Sequence, residues 1–182
     1  TYEERYAMCQ IAARQISNEL GNLLKEVRVS RIEEQLTREN NRPNFSAETM
    51  QALRLETDSS LDLGFLLGLD AFAGPDPSFG HWYKLENLLE SSALVIAPRE
   101  GFKANEDFIC NLESRGARLI FLESVKAREV SSTAIRSRLA QGERPLNLVE
   151  DGSLSAEILQ YIQAHDLVAI WRALDAEQLD LE

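Results

Sequence analysis

Apolar residues recur along this chain in two rhythms, one helical and one strand-like, and the change between them outlines the fold. Residues 2–20 set Tyr6, Cys9, Ala13, Ile16 and Leu20 along one helical stripe, with Met8, Ile11 and Ala12 beside it. Val27, Val29 and the nearby Ile32 predict a short strand, and the polar, Asn-rich stretch 34–44 with its proline reads as a loop. Ser46 is expected to cap a helix running to about Leu55, with Glu48 in its first turn facing the positive helix end. Three short runs rich in Leu, Ile, Val and Phe follow at 63–68, 93–98 and 119–122, as strands buried on both faces do. Helical patterns at 81–91 and 104–115 separate them, so the chain reads as βαβ units in an α/β sheet covered by helices. A further helix is expected from Ser131 to near Gly142, another from Ser155, and a last one over 167–179. No strand follows residue 142. The expected organisation is therefore an α/β domain over 1–142 with a helical C-terminal cap of the same domain over 143–182.

Composition narrows the function classes. With 182 residues, 44% hydrophobic and 27% charged, the chain fits one globular domain. A formal net charge of −11 argues against binding a nucleic-acid polymer, which needs a basic face. That acidity is uneven: residues 143–182 carry two basic and nine acidic groups. Residues 115–138 instead form a basic island, with Arg115, Arg118, Lys126, Arg128, Arg136 and Arg138 against only Glu123 and Glu129. Cys9 and Cys110 are too few and too far apart for a disulfide scaffold or a zinc site, and both read as small buried hydrophobes. No apolar stretch approaches the ~20 residues of a membrane span, and no signal peptide opens the chain. The expected compartment is the cytoplasm.

In open α/β sheets, ligands bind outside the carboxyl ends of the strands. After the first strand comes Gly68-Leu69-Asp70-Ala71-Phe72, where Asp70 either accepts bonds from sugar hydroxyls or caps the next helix. In the turn-rich segment 75–83, Trp82 and Tyr83 either stack on a planar heterocycle or anchor the loop to the core. His81 reads as a helix-start or surface histidine rather than a catalyst. The most informative stretch is Val130-Ser131-Ser132-Thr133-Ala134-Ile135-Arg136. Hydroxyls and free N–H groups at a helix N-terminus form a phosphate site, and Arg136 one turn in adds a cationic clamp. The plain alternative is an N-cap.

Taken in order, these stretches resemble the nicotinate-nucleotide adenylyltransferase family, over roughly residues 1–168. Asn44-Phe45-Ser46-Ala47-Glu48-Thr49-Met50 is similar to the family's Ser-Tyr-Thr-x-Asp-Thr-Leu segment, and Gly68-Leu69-Asp70 to its Gly-x-Asp motif. Trp82-Tyr83 resembles its aromatic pair, and Arg99-Glu100-Gly101-Phe102 its Arg-Pro-Gly-Tyr region. Val130 to Arg136 is close to its Ile-Ser-Ser-Thr-x-Ile-Arg signature, and Arg5 and Met8 fit its early helix.

The resemblance implies a Rossmann-like nucleotidyltransferase fold and adenylyl transfer from ATP to nicotinate mononucleotide, giving deamido-NAD and pyrophosphate, with Mg2+ on the leaving group. Ser131, Ser132, Thr133 and Arg136 would hold the ATP phosphates. Trp82 would stack on the pyridine ring, backbone near Ser46 and Tyr83 would receive its carboxylate, and Asp70 would contact the nucleotide. No protein side chain is assigned to a metal. The family opens with a strand and a Gly-x-Phe-x-Pro-x-His-x-Gly-His motif, and neither His81 nor His165 sits in one. With Thr1 first, the expectation is that the native protein has that segment upstream, so no catalytic residue is assigned. The alternatives are a non-catalytic nucleotide-binding homologue, or an adenylyltransferase for a related phosphate ester such as nicotinamide mononucleotide. Homo-oligomerisation stays open.

Overall fold

The computed structural model describes residues 1–23, 25–123 and 130–179. They form two compact units: Ser30–Glu129, and Thr1–Val29 together with Val130–Glu182.

The Ser30–Glu129 unit holds the sheet. Strands β1 (Gly64–Gly68), β2 (Ala93–Ala97) and β3 (Leu119–Phe121) pair in parallel in the order β1-β2-β3. The three runs of apolar residues thus form the expected α/β sheet. Register aligns Phe65 with Leu94 and Leu94 with Leu119, and Leu67 with Ile96. Those residues share one face with Phe72, Phe79, Leu88 and Leu112 in the core, while Leu66 and Ile120 on the other face are 64% and 49% exposed. Helices α3 (Ser46–Glu56), α4 (Leu85–Ser91) and α5 (Glu106–Ser114) bury Met50, Leu88 and Leu112 into this core.

Four local expectations need correction here. The polar stretch 34–44 is mostly helix: α2 spans Ile32–Asn40. Its sequence lacks an apolar stripe, but Glu34 pairs with both Arg31 and Arg38 at helical spacing, Gln35 bonds Glu39, and Ile32 is buried. Asn41 then ends it in the left-handed conformation, at φ 49°. Ser46 is the first helical residue of α3 rather than its cap; Phe45 takes the cap position, with no side-chain cap bond. The pattern at 81–91 divides into a 3-10 turn at Ser78–His81 and α4 from Leu85, with Lys84 left-handed between them. Cys110 is exposed. It lies two residues, about 200° of helix, from Leu112, so burying Leu112 turns it outward.

The second unit is helical. Helix α1 (Tyr2–Leu20) opens with a capping box between Thr1 and Glu4. It buries Ile11, with Met8 and Ala12 half-buried beside it, while Ile16, Leu20 and Cys9 are exposed. The inward face is thus centred on Ile11, with Met8 and Ala12 on it and Tyr6 and Ala13 of the expected stripe half-buried, while Cys9 is exposed. Val27 and Val29 form no strand: three alternating positions without a partner strand do not make a ladder. Helices α6 (Ser132–Ala140), α7 (Pro145–Glu150), α8 (Ala156–Ala164) and α9 (Leu167–Leu179) complete the unit around Leu139, Leu148, Leu159, Ile162 and Leu167. The sequence pattern did not show α7, which is only six residues long and starts at Pro145.

Candidate functional site

In the sheet-bearing unit, two distant segments meet around one cavity of about 310 Å3, lined by Asn44, Phe45, Ser46, Ala47, His81, Trp82 and Tyr83. The first segment is the start of α3, whose first N–H groups have no intrahelical acceptor and no side-chain cap. The second is the aromatic pair that follows the 3-10 turn. Trp82 is half-buried: Phe79 lies 5.0 Å from it and Phe65 meets it edge-on at 6.0 Å. Trp82 therefore anchors the loop to the core, and it also lines the cavity. Tyr83 is exposed and packs on Phe45, with ring centroids 4.5 Å apart.

Charge around this cavity is arranged by Arg42, in the loop between α2 and α3. Its guanidinium grips Glu48 with two bonds of 2.6 and 3.1 Å and lies 5.1 Å from the Phe45 ring. Arg42 holds the Glu48 carboxyl below its ordinary pKa, with a smaller contribution from Lys84. Glu48 thus brings no uncompensated negative charge to the α3 N-terminus. Lys84 lies with its ammonium 5.1 Å from the Tyr83 ring. Asn44 donates to the Thr49 hydroxyl, leaving its Oδ1 buried without a partner among the described residues. His81 is exposed and bonds Asp76 at 2.7 Å.

Asp70 lies in the turn Leu69–Phe72 after β1 and makes no cap bond there. Its partner is Arg99, which donates to Oδ2 at 2.9 Å. Arg99 was legible as part of the Arg99-Glu100-Gly101-Phe102 match but had drawn no role of its own.

In the helical unit, Ser131 caps α6 by accepting from the Ala134 N–H at 3.1 Å. Ser132, Thr133 and Arg136 lie exposed in the first turns, with the Arg136 guanidinium 3.4 Å from the Thr133 hydroxyl. The N–H groups of Ser132 and Thr133 precede the first intrahelical bond, which is made by Ile135. This end sets two N–H groups without an intrahelical acceptor beside exposed hydroxyls and one guanidinium.

The basic island is mostly neutralised. Arg115 pairs with Glu86 and Arg118 with Asp62, both in the sheet-bearing unit. Arg138 binds both Glu143 oxygens at 2.7 Å, Asp151 at 2.7 Å and Ser153 at 3.3 Å. Lys126 and Arg128 lie outside the described residues. Arg136, bonded to Thr133, makes no ion pair among the described residues and keeps its charge available. The four predicted residues of the mononucleotide set do not share one cluster: Ser46, Trp82 and Tyr83 line the cavity, and Asp70 is engaged with Arg99.

A larger cavity of about 540 Å3 lies in the helical unit between α1, Val27, Val29 and Tyr161, and holds none of the predicted site residues. No group of three or more His, Cys, Asp or Glu side chains is arranged to hold a metal among the described residues. No helix among them is long and apolar enough to cross a membrane.

No family model matches the chain. It is 28% identical over 139 residues to the probable nicotinate-nucleotide adenylyltransferase of Klebsiella pneumoniae, covering 69% of this chain and 60% of that protein. It is 29% identical to the protein of the same description from Acidithiobacillus ferrooxidans, covering 69% and 59%. The nicotinate-nucleotide adenylyltransferase of Escherichia coli O157:H7 is 28% identical, covering 70% and 62%. The matched part is thus about 60% of the length of these curated relatives. Among solved structures, nicotinic acid mononucleotide adenylyltransferase of Plasmodium falciparum complexed with APC matches with a TM-score of 0.67 at 17% identity, over 93% of this chain and 76% of that one. The same enzyme complexed with NaAD matches with a TM-score of 0.54 at 18% identity, over 70% and 58%. The chain is thus similar in sequence to proteins described as nicotinate-nucleotide adenylyltransferases, and it shares the α/β fold of the solved Plasmodium falciparum enzyme.

Proposed function

We propose that the protein transfers the adenylyl group of ATP to nicotinate mononucleotide, as part of NAD synthesis. The observation that carries this reading is the cavity in which the start of α3 meets Trp82 and Tyr83. It pairs an uncapped helix N-terminus, suited to a carboxylate, with an aromatic wall suited to a pyridine ring. Trp82 stacks on the ring, the N–H groups near Ser46 and Tyr83 receive its carboxylate, and Asp70 contacts the nucleotide.

Ser131, Ser132, Thr133 and Arg136 hold the ATP phosphates. A phosphate oxygen of the mononucleotide attacks the α-phosphorus of ATP, its bond to the bridging oxygen breaks, and pyrophosphate leaves. The residues described here bind and align; the gain comes from orientation and from donors aimed at phosphate oxygens. Magnesium enters as the ion carried by ATP, since Mg2+ is usually held by substrate phosphates and one or two carboxylates. The division at residue 142 into a nucleotidyltransferase domain with a helical cap, and a cytoplasmic location, belong to the same reading.

The test is pyrophosphate release by the intact protein from ATP with nicotinate mononucleotide or nicotinamide mononucleotide. Faster release with nicotinate mononucleotide is expected. Release with neither, alongside binding of ATP, would leave a nucleotide-binding protein without catalysis.

A further inference from the structure

Among the described residues, the lining of the α3 cavity includes no carboxylate and no arginine. Its one histidine, His81, is bonded to Asp76. The nearest full charge on α3 itself is Glu48, in the first turn of that helix, with its side chain only 13% exposed. The N–H groups of Ser46 and Ala47 precede the first bond of the helix, which Glu48 makes to the Phe45 carbonyl at 2.9 Å. An ionised Glu48 stands at the same positive helix end as those free donors, so it opposes any second anion that approaches them.

Arg42 counters that charge and is held in place from several sides. Its guanidinium donates to Glu48 Oε1 at 2.6 Å, to Oε2 at 3.1 Å and to the Pro43 carbonyl at 3.1 Å. It also lies 5.1 Å from the Phe45 ring and 6.0 Å from the Tyr83 ring, the two aromatic groups that the separate segments bring to the cavity. Arg42 lies outside every motif that carries the family resemblance, and it does not line the cavity. Its effect on a ligand is therefore one of charge rather than contact.

We propose that Arg42 is a specificity-determining residue acting through Glu48. By cancelling the Glu48 charge, it lets the cavity take the pyridine carboxylate of nicotinate mononucleotide in preference to the uncharged amide of nicotinamide mononucleotide. The inference rests on the adenylyltransferase reading. Without Arg42, Glu48 would repel a carboxylate at the helix end and leave the amide little affected. A purely structural role, through packing on Phe45 and Tyr83, would weaken both mononucleotides alike.

The experiment measures kcat/KM for both mononucleotides in the intact protein and takes their ratio, with binding of each followed by calorimetry. Arg42→Ala should lower the preference for nicotinate mononucleotide about fivefold, mainly through its KM, as a charge at a partly buried helix N-terminus does. That loss should shrink in high salt. Arg42→Lys should recover part of it, and Glu48→Gln alone should raise the preference. The double variant R42A/E48Q should return the ratio close to that of wild type. Should R42A lose stability, R42K and E48Q carry the test. Equal losses for both mononucleotides in R42A, or a double variant with a ratio as low as that of R42A, overturn the inference while leaving the adenylyltransferase reading intact. Wild-type protein that releases pyrophosphate with neither mononucleotide brings down that reading, and the inference with it.

Discussion

The cavity at the start of α3 and the first turn of α6 are both places where helix N–H groups await an acceptor, yet they are built in opposite ways. The α3 cavity is assembled by tertiary packing: residues 44–47 and 81–83 are distant in sequence and meet because both pack on the core through Ala47, Met50, Phe79 and Trp82. The α6 end is assembled locally, from consecutive hydroxyls and an arginine one turn away. At α3 the cap position holds Phe45, whose side chain makes no cap bond, and aromatic rings line the space. At α6 Ser131 satisfies one N–H itself, and the surroundings are solvent. An aromatic-lined cavity selects by shape, whereas an exposed hydroxyl-and-cation site selects by charge.

From that difference, the largest effect of any single truncation should come from Trp82. Trp82→Ala removes both the cavity wall and the contacts with Phe65 and Phe79. Aromatic stacking on a base is worth about 2 kcal/mol, so kcat/KM for the mononucleotide should fall about thirtyfold, with a lower thermal midpoint. Trp82→Phe should restore most of the stability and much of the affinity. A mononucleotide KM unaffected by W82A would reduce Trp82 to a core anchor.

Arg136→Ala probes the opposite site and should separate cleanly from folding. Arg136 is exposed and bonds only Thr133, at 3.4 Å, so its loss should leave the thermal midpoint nearly unchanged. A hydrogen bond to a charged group contributes about 1.5–3 kcal/mol, so KM for ATP should rise at least tenfold while that for the mononucleotide barely moves. An unchanged ATP dependence removes Arg136 from the site.

These two residues also show what a sequence reveals. The α6 motif was legible because everything it needs lies within seven residues, and a Ser/Thr cap with a following arginine states its own chemistry. The three strands were legible because short continuous apolar runs mark strands, although only the face of Leu67, Leu94 and Ile96 is buried and Leu66 and Ile120 on the other are exposed. What stayed hidden depended on partners far along the chain. Helix α2 read as a loop because the ion pairs that stabilise it leave no hydrophobic period, and the role of Arg42, in the loop after it, stayed hidden because its partner Glu48 lies in the next helix. The basic island read as a phosphate-attracting field because Glu86 and Asp62, which neutralise Arg115 and Arg118, lie outside it in sequence. Asp70 offered two roles, and only the register that brings β2 beside β1 introduced Arg99 as its partner.

Ser131 tests whether the α6 turn is a cap, a ligand site or both. Ser131→Ala removes the bond to the Ala134 N–H and should cost about 1 kcal/mol of stability, read from denaturant unfolding. Ser131→Asp should keep the cap and place a carboxylate where the ATP phosphates are proposed to sit. Stability retained with ATP binding lost would separate the two roles. Stability and ATP binding both retained would make Ser131 a cap alone.

The smallest expected effect lies at the other end of α6, where Arg138 holds Glu143, Asp151 and Ser153. The Ser153 hydroxyl, the Arg138 guanidinium and the Ser153 N–H together lower the Asp151 pKa to about 2. Glu143 is lowered as well, chiefly by Arg138. A carboxyl with a depressed folded-state pKa binds its proton more readily when unfolded. Its contribution is therefore fully present above the ordinary carboxylate range and is lost as pH falls from about 4 towards 2. Because these groups are partly exposed, the loss should be modest and should shrink in high salt. Thermal midpoints measured across that window should fall less steeply in Asp151→Asn than in wild type. Since the network lies away from the helix start proposed to hold the ATP phosphates, ATP affinity at neutral pH should be the same in both.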